Sequence, residues 1–287
     1  AVDGVSFEIT EGEVFGLVGE RGCGKTTLAK TMLRLYLPTE GEVLFRGQSV
    51  FGLDRNQLKQ LRRKVQVIFQ DSNSTLDPRM NAGHMLEEPL LLHRIGNRSE
   101  RRQRITSMME RVKLSPAFLT RHPAELSGGQ RQRLSMARAL IIEPRLVIAD
   151  EPLAGLDPVV STQLLELMLS LKREMGLTYL LISHDLSTVT YASDRIAVMY
   201  RGRIVEIIDG EHFQSGALHP YTRFLQSPEH LLVDSEMNGD VHHHHRNGET
   251  GCVFFQRCPE RVAMCSESSP ALHEVAPGHK IACHLRR

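Results

Sequence analysis

The chain of 287 residues carries a formal net charge of +1 and is 41% apolar. This length accommodates one large domain or one domain with an appendix, and the balanced charge gives no overall attraction to nucleic acid or acidic surfaces. No apolar run approaches the roughly 20 residues that span a bilayer, so the sequence predicts a soluble chain that reaches a membrane only through a partner.

The first nine residues predict a strand, because Val5, Phe7 and Ile9 alternate with polar residues. A chain that begins inside a strand also leads us to expect a natural N-terminal segment before Ala1. A second strand is predicted at Val14–Val18, followed by a helix from about Thr26.

A glycine-rich loop connects this second strand and its helix. Its spacing G-x-x-x-x-G-K-T lets backbone N–H groups and a helix N-terminus cradle phosphate oxygens. Lys25 offers a cation to the β- and γ-phosphates, and the Thr26 hydroxyl is placed to ligate Mg²⁺. The loop therefore predicts a nucleoside triphosphate site, with a glycine-rich turn of no chemical consequence as the alternative. The residues predicted to hold the nucleotide here are Gly19, Glu20, Arg21, Gly22, Cys23, Gly24, Lys25, Thr26 and Thr27.

The rest of the chain alternates helix and strand patterns, apart from a long basic, helical block. Such alternation predicts an α/β fold whose mostly parallel sheet is covered on both faces. Further helices are predicted at 53–64 and 158–175, and further strands at 65–69, 146–149, 178–182 and 196–199. The predicted divisions are an α/β core at 1–71 and 141–209, an inserted helical subdomain at 72–140 and a C-terminal extension at 210–287.

Two acidic residues end the apolar strand pattern at 146–149. Ligands of open α/β sheets bind at the carboxyl ends of strands, where Asp150 and Glu151 are expected. We predict that Asp150 holds Mg²⁺ through water and that Glu151 polarises an attacking water. An ordinary acidic strand end is the alternative.

A second anion-binding helix start is predicted at Leu126–Gln130, where Ser127, Gly128 and Gly129 precede Gln130. With the phosphate loop and the acidic strand end, this pentapeptide resembles the nucleotide-binding subunit of ABC transporters. The resemblance implies a P-loop NTPase core that binds ATP and Mg²⁺. It also implies that two such subunits pack head to tail, so that the segment at Ser127 of one closes on the γ-phosphate held by the other.

Three further positions match motifs of that family. Gln70 matches the residue that contacts Mg²⁺ and water and senses the membrane subunit, and Asp157 matches an acid that touches the opposite site. His184 matches the histidine that contacts the γ-phosphate. The resemblance thus implies Lys25, Gln70, Glu151 and His184 as catalytic residues. The sequence departs from the family pattern at Arg21, where relatives usually have Ser, and at Ala154, which lacks a hydroxyl. The aromatic residue that stacks on adenine in this family is expected upstream of Ala1.

Segments 74–80, 121–125 and 218–223 resemble the oligopeptide, dipeptide and nickel importers. This resemblance implies an ATPase at the cytoplasmic face of the membrane, paired with an identical or related ATPase subunit. It also implies two separate permeases whose coupling helices enter a groove near residues 70–85, an extracytoplasmic solute-binding protein as an indirect partner, and no nucleic acid. A non-transport ABC ATPase acting on nucleic acid and a redox-regulated ABC ATPase remain the alternatives.

Four cysteines, Cys252, Cys258, Cys265 and Cys283, crowd the end of the chain with the spacing C-x5-C-x6-C-x17-C. Zinc sites usually have closer pairs, whereas irregular four-thiolate sets suit a [4Fe–4S] cluster. We predict the cluster, with Zn²⁺ or unligated thiols as alternatives. The polar stretch 234–250 is predicted to be a flexible linker, and its four histidines at 242–245 either belong to that linker or capture a transition metal.

Overall fold

The computed structural model describes residues 2–70, 75–227 and 251–286. The predicted linker at 234–250, the histidines at 242–245 and Ser74 lie outside these residues. The described strands are β1 (Val14–Val18), β2 (Leu44–Phe45), β3 (Gln48–Ser49), β4 (Val65–Ile68), β5 (Leu146–Asp150), β6 (Thr178–Ser183), β7 (Arg195–Tyr200), β8 (Arg203–Asp209), β9 (His273–Ala276) and β10 (His279–Ile281).

The described helices include those that carry the candidate site and several short ones near the end. They are α1 (Lys25–Met32), α2 (Arg55–Lys64), α3 (Ala82–Leu92), α4 (Arg98–Arg111), α5 (Gly128–Leu140), α6 (Pro158–Met175), α7 (Leu186–Ala192), α8 (Phe213–Gly216), α9 (Pro220–Gln226) and α10 (Met264–Glu267). None of the helices in the described ranges is long and apolar enough to cross a bilayer.

The chain divides into two compact units. The first comprises Ala1–Glu8, Phe15–Leu28 and Ser183–Arg287, and the second comprises Ile9–Val14 and Ala29–Ile182. In the first unit β1 runs parallel to β7, with Phe15 opposite Arg195 and Val18 opposite Val198. Strand β7 continues through a tight turn into antiparallel β8, which pairs with β10 of an antiparallel β9–β10 hairpin.

The second unit is built on three parallel strands in the order β4, β5, β6. Strand β5 is an almost unbroken apolar run with four of its five residues buried, as expected of a parallel strand covered on both faces. Helix α6 buries one face, which includes Leu164, Leu167, Met168 and Leu171, and ends at Gly176 in the left-handed conformation that favours glycine. The described residues 75–140 are helices and turns, as their sequence predicts.

One predicted element is absent from the described residues, and one element of the structure was not predicted. The predicted strand at 1–9 is wrong, because no strand is assigned in the described residues 2–9. Phe7 stacks on Phe15 with ring centroids 5.1 Å apart, but the Glu8 carbonyl accepts a hydrogen bond from the Arg195 guanidinium instead of joining a strand ladder. The β9–β10 hairpin, His273–Ala276 and His279–Ile281, is not among the predicted elements.

Candidate functional site

The phosphate loop follows β1 and ends where α1 begins, as its sequence predicts. Gly19 is required at the start, because a Cβ on this residue would lie 2.1 Å from the Met199 carbonyl oxygen. That carbonyl belongs to β7, the strand paired with β1. The first residue of the loop therefore packs directly against the backbone of β7. The Gly202 N–H donates to the Cys23 carbonyl at 2.8 Å and anchors the loop's other side.

Lys25 turns its ammonium group back into this loop. Its Nζ donates to the Gly19 and Glu20 carbonyl oxygens at 2.6 and 3.1 Å and lies 3.8 Å from Cys23 Sγ. The side chain is only 6% exposed. Burial raises the pKa of the Cys23 thiol, and the nearby Lys25 ammonium only partly opposes that shift. The loop therefore holds one positive charge, on Lys25. A phosphate oxygen can take the place of the carbonyl oxygens and the thiol as the partner of this ammonium group.

His184 lies just after β6, in the turn that leads into α7. Asp185 caps α7, because its carboxylate accepts from the Ser187 N–H at 3.0 Å and the Ser187 hydroxyl at 2.7 Å. Burial raises the pKa of Asp185, but the hydrogen bonds from Thr188 and Ser187 outweigh it and hold the pKa below its usual value. The half-buried His184 therefore lies in a turn at the carboxyl end of a strand, directly before the residue that caps the next helix.

In the second unit, Asp150 is the last residue of strand β5 and Glu151 follows it directly, at the carboxyl end of the strand. Asp150 is 4% exposed. The Glu151 N–H donates to the Ile182 carbonyl at 2.9 Å, and its φ of 51° places it in the left-handed region. Such a conformation costs a non-glycine residue about 1 kcal/mol or more and recurs at functional sites. Gln70 lies two residues beyond β4 and is exposed.

Ser127 forms the N-cap of α5, which begins at the predicted position. Its hydroxyl accepts from the Gln130 N–H at 3.3 Å, while the Gln130 side-chain oxygen accepts from the Ser127 N–H at 3.0 Å. A Cβ on Gly129 would lie 2.8 Å from Val160 Cγ1, so this glycine permits close packing on α6. Ser127 itself is exposed, which leaves the helix start at the surface of this chain.

Asp157 has a structural role that its sequence motif did not predict. It is the N-cap of α6, and its carboxylate accepts from the Val160 N–H at 3.0 Å. This bond satisfies one of the unpaired N–H groups at the start of the 18-residue helix. The predicted contact of Asp157 with a second chain is not tested by this bond.

A groove of about 520 Å³ lies in the second unit beside β4, α3 and α5. Its lining mixes apolar and polar residues, among them Val67, Phe69, Leu92, His93 and Arg138. Arg138 donates to the Thr75 carbonyl at 3.0 Å and pairs with Glu88 at 2.8 Å. Burial lowers the pKa of His93, and the nearby Lys59 and Arg63 lower it further.

All four cysteines of the C-terminal extension are free thiols. The Cys252 N–H donates to the Cys265 carbonyl at 2.8 Å. Burial raises the pKa values of Cys252 and Cys258, and the charges of the other cysteines act in the same direction. The backbones of Cys252 and Cys265 therefore lie side by side, yet within residues 251–286 and the other described ranges no group of three or more His, Cys, Asp or Glu side chains is arranged to hold a metal.

Sequence reasoning missed the residues that hold the phosphate loop from outside. The Glu20 N–H donates to the Tyr221 hydroxyl at 3.1 Å, and Arg257 forms an ion pair with the Glu20 carboxylate. Tyr221 belongs to the segment 218–223, whose sequence resembles that of importers but does not predict a contact with the phosphate loop. Nothing in the sequence links either residue to a position more than 200 residues away.

Two family models match the chain. Residues 2–154 match the ABC transporter model, and residues 205–265 match the model of the oligopeptide/dipeptide transporter C-terminal region. The putative oligopeptide transport ATP-binding protein YkfD of Bacillus subtilis (strain 168) is 44% identical over 300 residues, which cover 100% of this chain and 90% of YkfD. The oligopeptide transport ATP-binding protein AppF of the same organism is 43% identical, and the alignment covers 99% of this chain and 89% of AppF.

A solved structure shares the fold. The dimeric, post-hydrolysis structure of the ATP-binding cassette MJ0796, bound to ADP and Pi, superposes with a TM-score of 0.66 at 31% sequence identity. The superposition covers 73% of this chain and 90% of MJ0796.

Proposed function

The chain belongs to the ABC transporter family, and from that premise we propose that it is the ATP-hydrolysing subunit of a peptide importer. The observation that carries this proposal is the full-length similarity to two oligopeptide transport ATP-binding proteins at 43–44% identity. The separate match of residues 205–265 to the oligopeptide/dipeptide transporter C-terminal region points the same way. These names favour the importer over a nucleic-acid-directed or redox-regulated ATPase.

The chemistry we propose is hydrolysis of ATP. Lys25 offsets charge on the phosphates, Glu151 takes a proton from the attacking water, and His184 contacts the γ-phosphate. The buried carboxylate of Asp150 and the Thr26 hydroxyl are the oxygen donors that suit Mg²⁺, with Gln70 as a further donor. When bound, Mg²⁺ would neutralise developing phosphate charge.

We further propose that a second ATPase subunit, identical or related, completes each nucleotide site. Ser127, Gly128, Gly129 and Gln130 of one chain would close on the phosphates held by Gly19–Thr27 of the other, and Asp157 would lie at the same interface. The exposure of Ser127 at a helix N-terminus supports this arrangement. The relative MJ0796, solved as a dimer with ADP and Pi, supports it as well.

The groove beside β4 is where we propose that the membrane permeases dock. Its lining is partly apolar, and Leu91 and Leu92 on the neighbouring helix are 53% and 60% exposed. Apolar exposure of this kind is typical of a protein–protein contact. Two separate permeases would hold the chain at the cytoplasmic face of the membrane, with a solute-binding protein on the other side.

The spacing of Cys252, Cys258, Cys265 and Cys283 supports a [4Fe–4S] cluster, with Zn²⁺ or free thiols as the alternatives. Their arrangement does not supply a ready metal site in the described residues, so no step of ATP hydrolysis is assigned to a cluster. Iron, sulfide and zinc analysis of anaerobically purified protein tests the proposal: four irons and four sulfides are expected per chain, whereas their absence would refute it.

The transport proposal is tested with the chain, its two permeases and its solute-binding protein in proteoliposomes. We expect ATP hydrolysis to rise when the binding protein is loaded with a short peptide. Stimulation by nickel chelates but not by peptides would move the assignment to a metal importer. ATP hydrolysis that responds to nucleic acid and to neither solute would contradict the importer.

A further inference from the structure

The phosphate loop carries a carboxylate of its own. Glu20 follows the first glycine of the loop, and its side chain is 22% exposed. ATP brings several negative charges to this loop, so an unpaired carboxylate here would repel the nucleotide. The loop therefore gains from a cation that neutralises Glu20 without occupying the phosphate position.

Arg257 of the C-terminal extension is that cation. One of its guanidinium nitrogens, Nη1, donates to both carboxylate oxygens of Glu20, at 2.9 and 3.1 Å. Burial lowers the pKa of Arg257, but the Glu20 carboxylate and the Tyr200 hydroxyl together outweigh burial, so the pKa lies above its usual value. Arg257 therefore stays charged at any physiological pH.

Aromatic rings hold this guanidinium in place. Its Cζ lies 4.9 Å from the ring centroid of Phe224, 5.9 Å from that of Tyr200 and 6.0 Å from that of Phe254. Phe254 is 2% exposed and packs edge-on against Tyr200 at 5.3 Å. Cations over aromatic faces are stabilised electrostatically, and a guanidinium held by several rings has little freedom to leave the carboxylate.

The same extension also holds the backbone of Glu20. The Tyr221 hydroxyl accepts the Glu20 N–H at 3.1 Å, and Tyr221 is fully buried. The Tyr221 N–H in turn donates to His219 Nδ1 at 3.1 Å, and Glu206 accepts the N–H groups of Leu218 and His219. Side chain and backbone of one loop residue are thus fixed by two segments of the extension.

We infer that Arg257 is a positioning residue for nucleotide binding, which acts by neutralising the Glu20 carboxylate so that the phosphate loop presents no free negative charge to ATP. This assigns the C-terminal extension a role in the ATP site that is independent of its cysteines. The inference rests on the proposed role of Gly19–Thr27 in holding ATP.

Equilibrium binding of ATP with Mg²⁺ to the full chain tests the inference. In Arg257→Ala the unpaired Glu20 should weaken ATP binding by about tenfold and raise KM in parallel, with kcat changed much less. In Glu20→Gln the unpaired Arg257 should tighten binding by about threefold. The double variant Glu20→Gln/Arg257→Ala should recover most of the lost affinity, because no unpaired charge remains.

Arg261→Ala is the matched control, because Arg261 lies in the same segment and its guanidinium faces the Phe255 ring at 5.7 Å rather than the loop. Its ATP affinity should equal that of the parent. If Arg257→Ala fails to fold, Glu20→Gln still decides the question, since weaker ATP binding by this variant would overturn the inference.

Two other results would overturn it: parental affinity in Arg257→Ala, or a double variant that binds more weakly than Arg257→Ala. Either would mean that the ion pair does not act through charge on the nucleotide. Lys25→Ala separates this failure from failure of the proposed nucleotide site. If Lys25→Ala binds ATP normally, the proposed nucleotide site is wrong. If Lys25→Ala loses ATP binding while Arg257→Ala keeps it, only the proposed role of Arg257 is wrong.

Discussion

Glu151, for which we propose a role in proton transfer, has a costly backbone conformation. It follows a buried strand whose last residue is Asp150, and its φ of 51° is unfavourable for a residue with a Cβ. A second glutamate, Glu143, shares this conformation with a φ of 55° but is exposed and pairs with Arg104. The two residues therefore allow conformation and chemistry to be separated experimentally.

We predict that Glu151→Gln binds ATP as the parent does but hydrolyses it at least about 100-fold more slowly, because the amide cannot take a proton from water. Glu143→Gln should hydrolyse ATP at the parental rate. Single-turnover hydrolysis and equilibrium ATP binding measure the two effects. Hydrolysis by Glu151→Gln at nearly the parental rate would refute the role of Glu151.

Parts of the site that depend on a few neighbouring residues could be predicted from the sequence. Contacts between residues far apart along the chain could not. The loop Gly19–Thr26 and the cap at Ser127 follow from spacing, because glycine freedom and helix capping act over a few residues. Arg257 could not be foreseen, since its partner Glu20 is 237 residues away along the chain. No local pattern encodes such a pair.

At the scale of elements, the N-cap of helix α6 gives Asp157 a structural role in addition to the dimer contact that we propose for it. Asp157 caps this helix in the isolated chain, whatever it contacts in a dimer. We predict that Asp157→Ala lowers the free energy of unfolding by about 1 kcal/mol, whereas Asp157→Asn keeps the cap and the stability. Urea unfolding measures both variants. Equal destabilisation by the two substitutions would show that the charge, and not the cap, stabilises the chain.

His219 links the start of α9 to the end of the chain and should make the protein acid-sensitive. Burial is the main cause that lowers its pKa to about 4, with a smaller contribution from Arg286 in the same direction, while Glu206 and a hydrogen bond with the Ala282 backbone oppose the shift. In the unfolded chain this histidine has its ordinary pKa of 6.5 and therefore binds a proton at a higher pH than in the folded chain. The free energy of unfolding thus falls as the pH drops from 6.5 toward 4.

Between pH 7 and pH 5 the parent should therefore lose about 2 kcal/mol more stability than His219→Asn, which keeps an acceptor for the Tyr221 N–H and does not titrate. Urea unfolding at the two pH values measures this difference. The exposed His212→Asn is the control and should lose stability as the parent does. A parent and a His219→Asn variant with the same pH dependence would show that His219 does not titrate in this range.

Elements with a strong intrinsic pattern could be predicted, whereas those that depend on a distant partner could not. Helix α6 has the predicted bounds because its apolar face, its N-cap and Gly176 all agree. The β9–β10 hairpin is short and mostly polar and pairs with β8, where Lys280 lies opposite Ile207 and Ile281 opposite Glu206, far apart along the chain. Residues 2–9 have the alternation of a strand but are not assigned to one, because alternation does not supply a hydrogen-bonded neighbour.

For the whole molecule, we propose that one chain encloses a bound nucleotide only partly. The phosphate loop and His184 lie in one unit, and Ser127 lies exposed at the start of a helix in the other. We propose that the segment Ser127–Gln130 acts on the ATP of a second subunit, so that ATP hydrolysis requires two chains. Such a mechanism makes the rate per chain depend on the concentration of chains.

The most direct test is the ATPase rate per chain, measured across a wide range of protein concentration with light scattering as the readout of assembly. We expect the ATPase rate per chain to rise as dimers form. Ser127→Arg should abolish this ATPase activity, while the monomer should still bind ATP. A rate that is already maximal in strict monomers, and that Ser127→Arg leaves unchanged, would contradict this expectation.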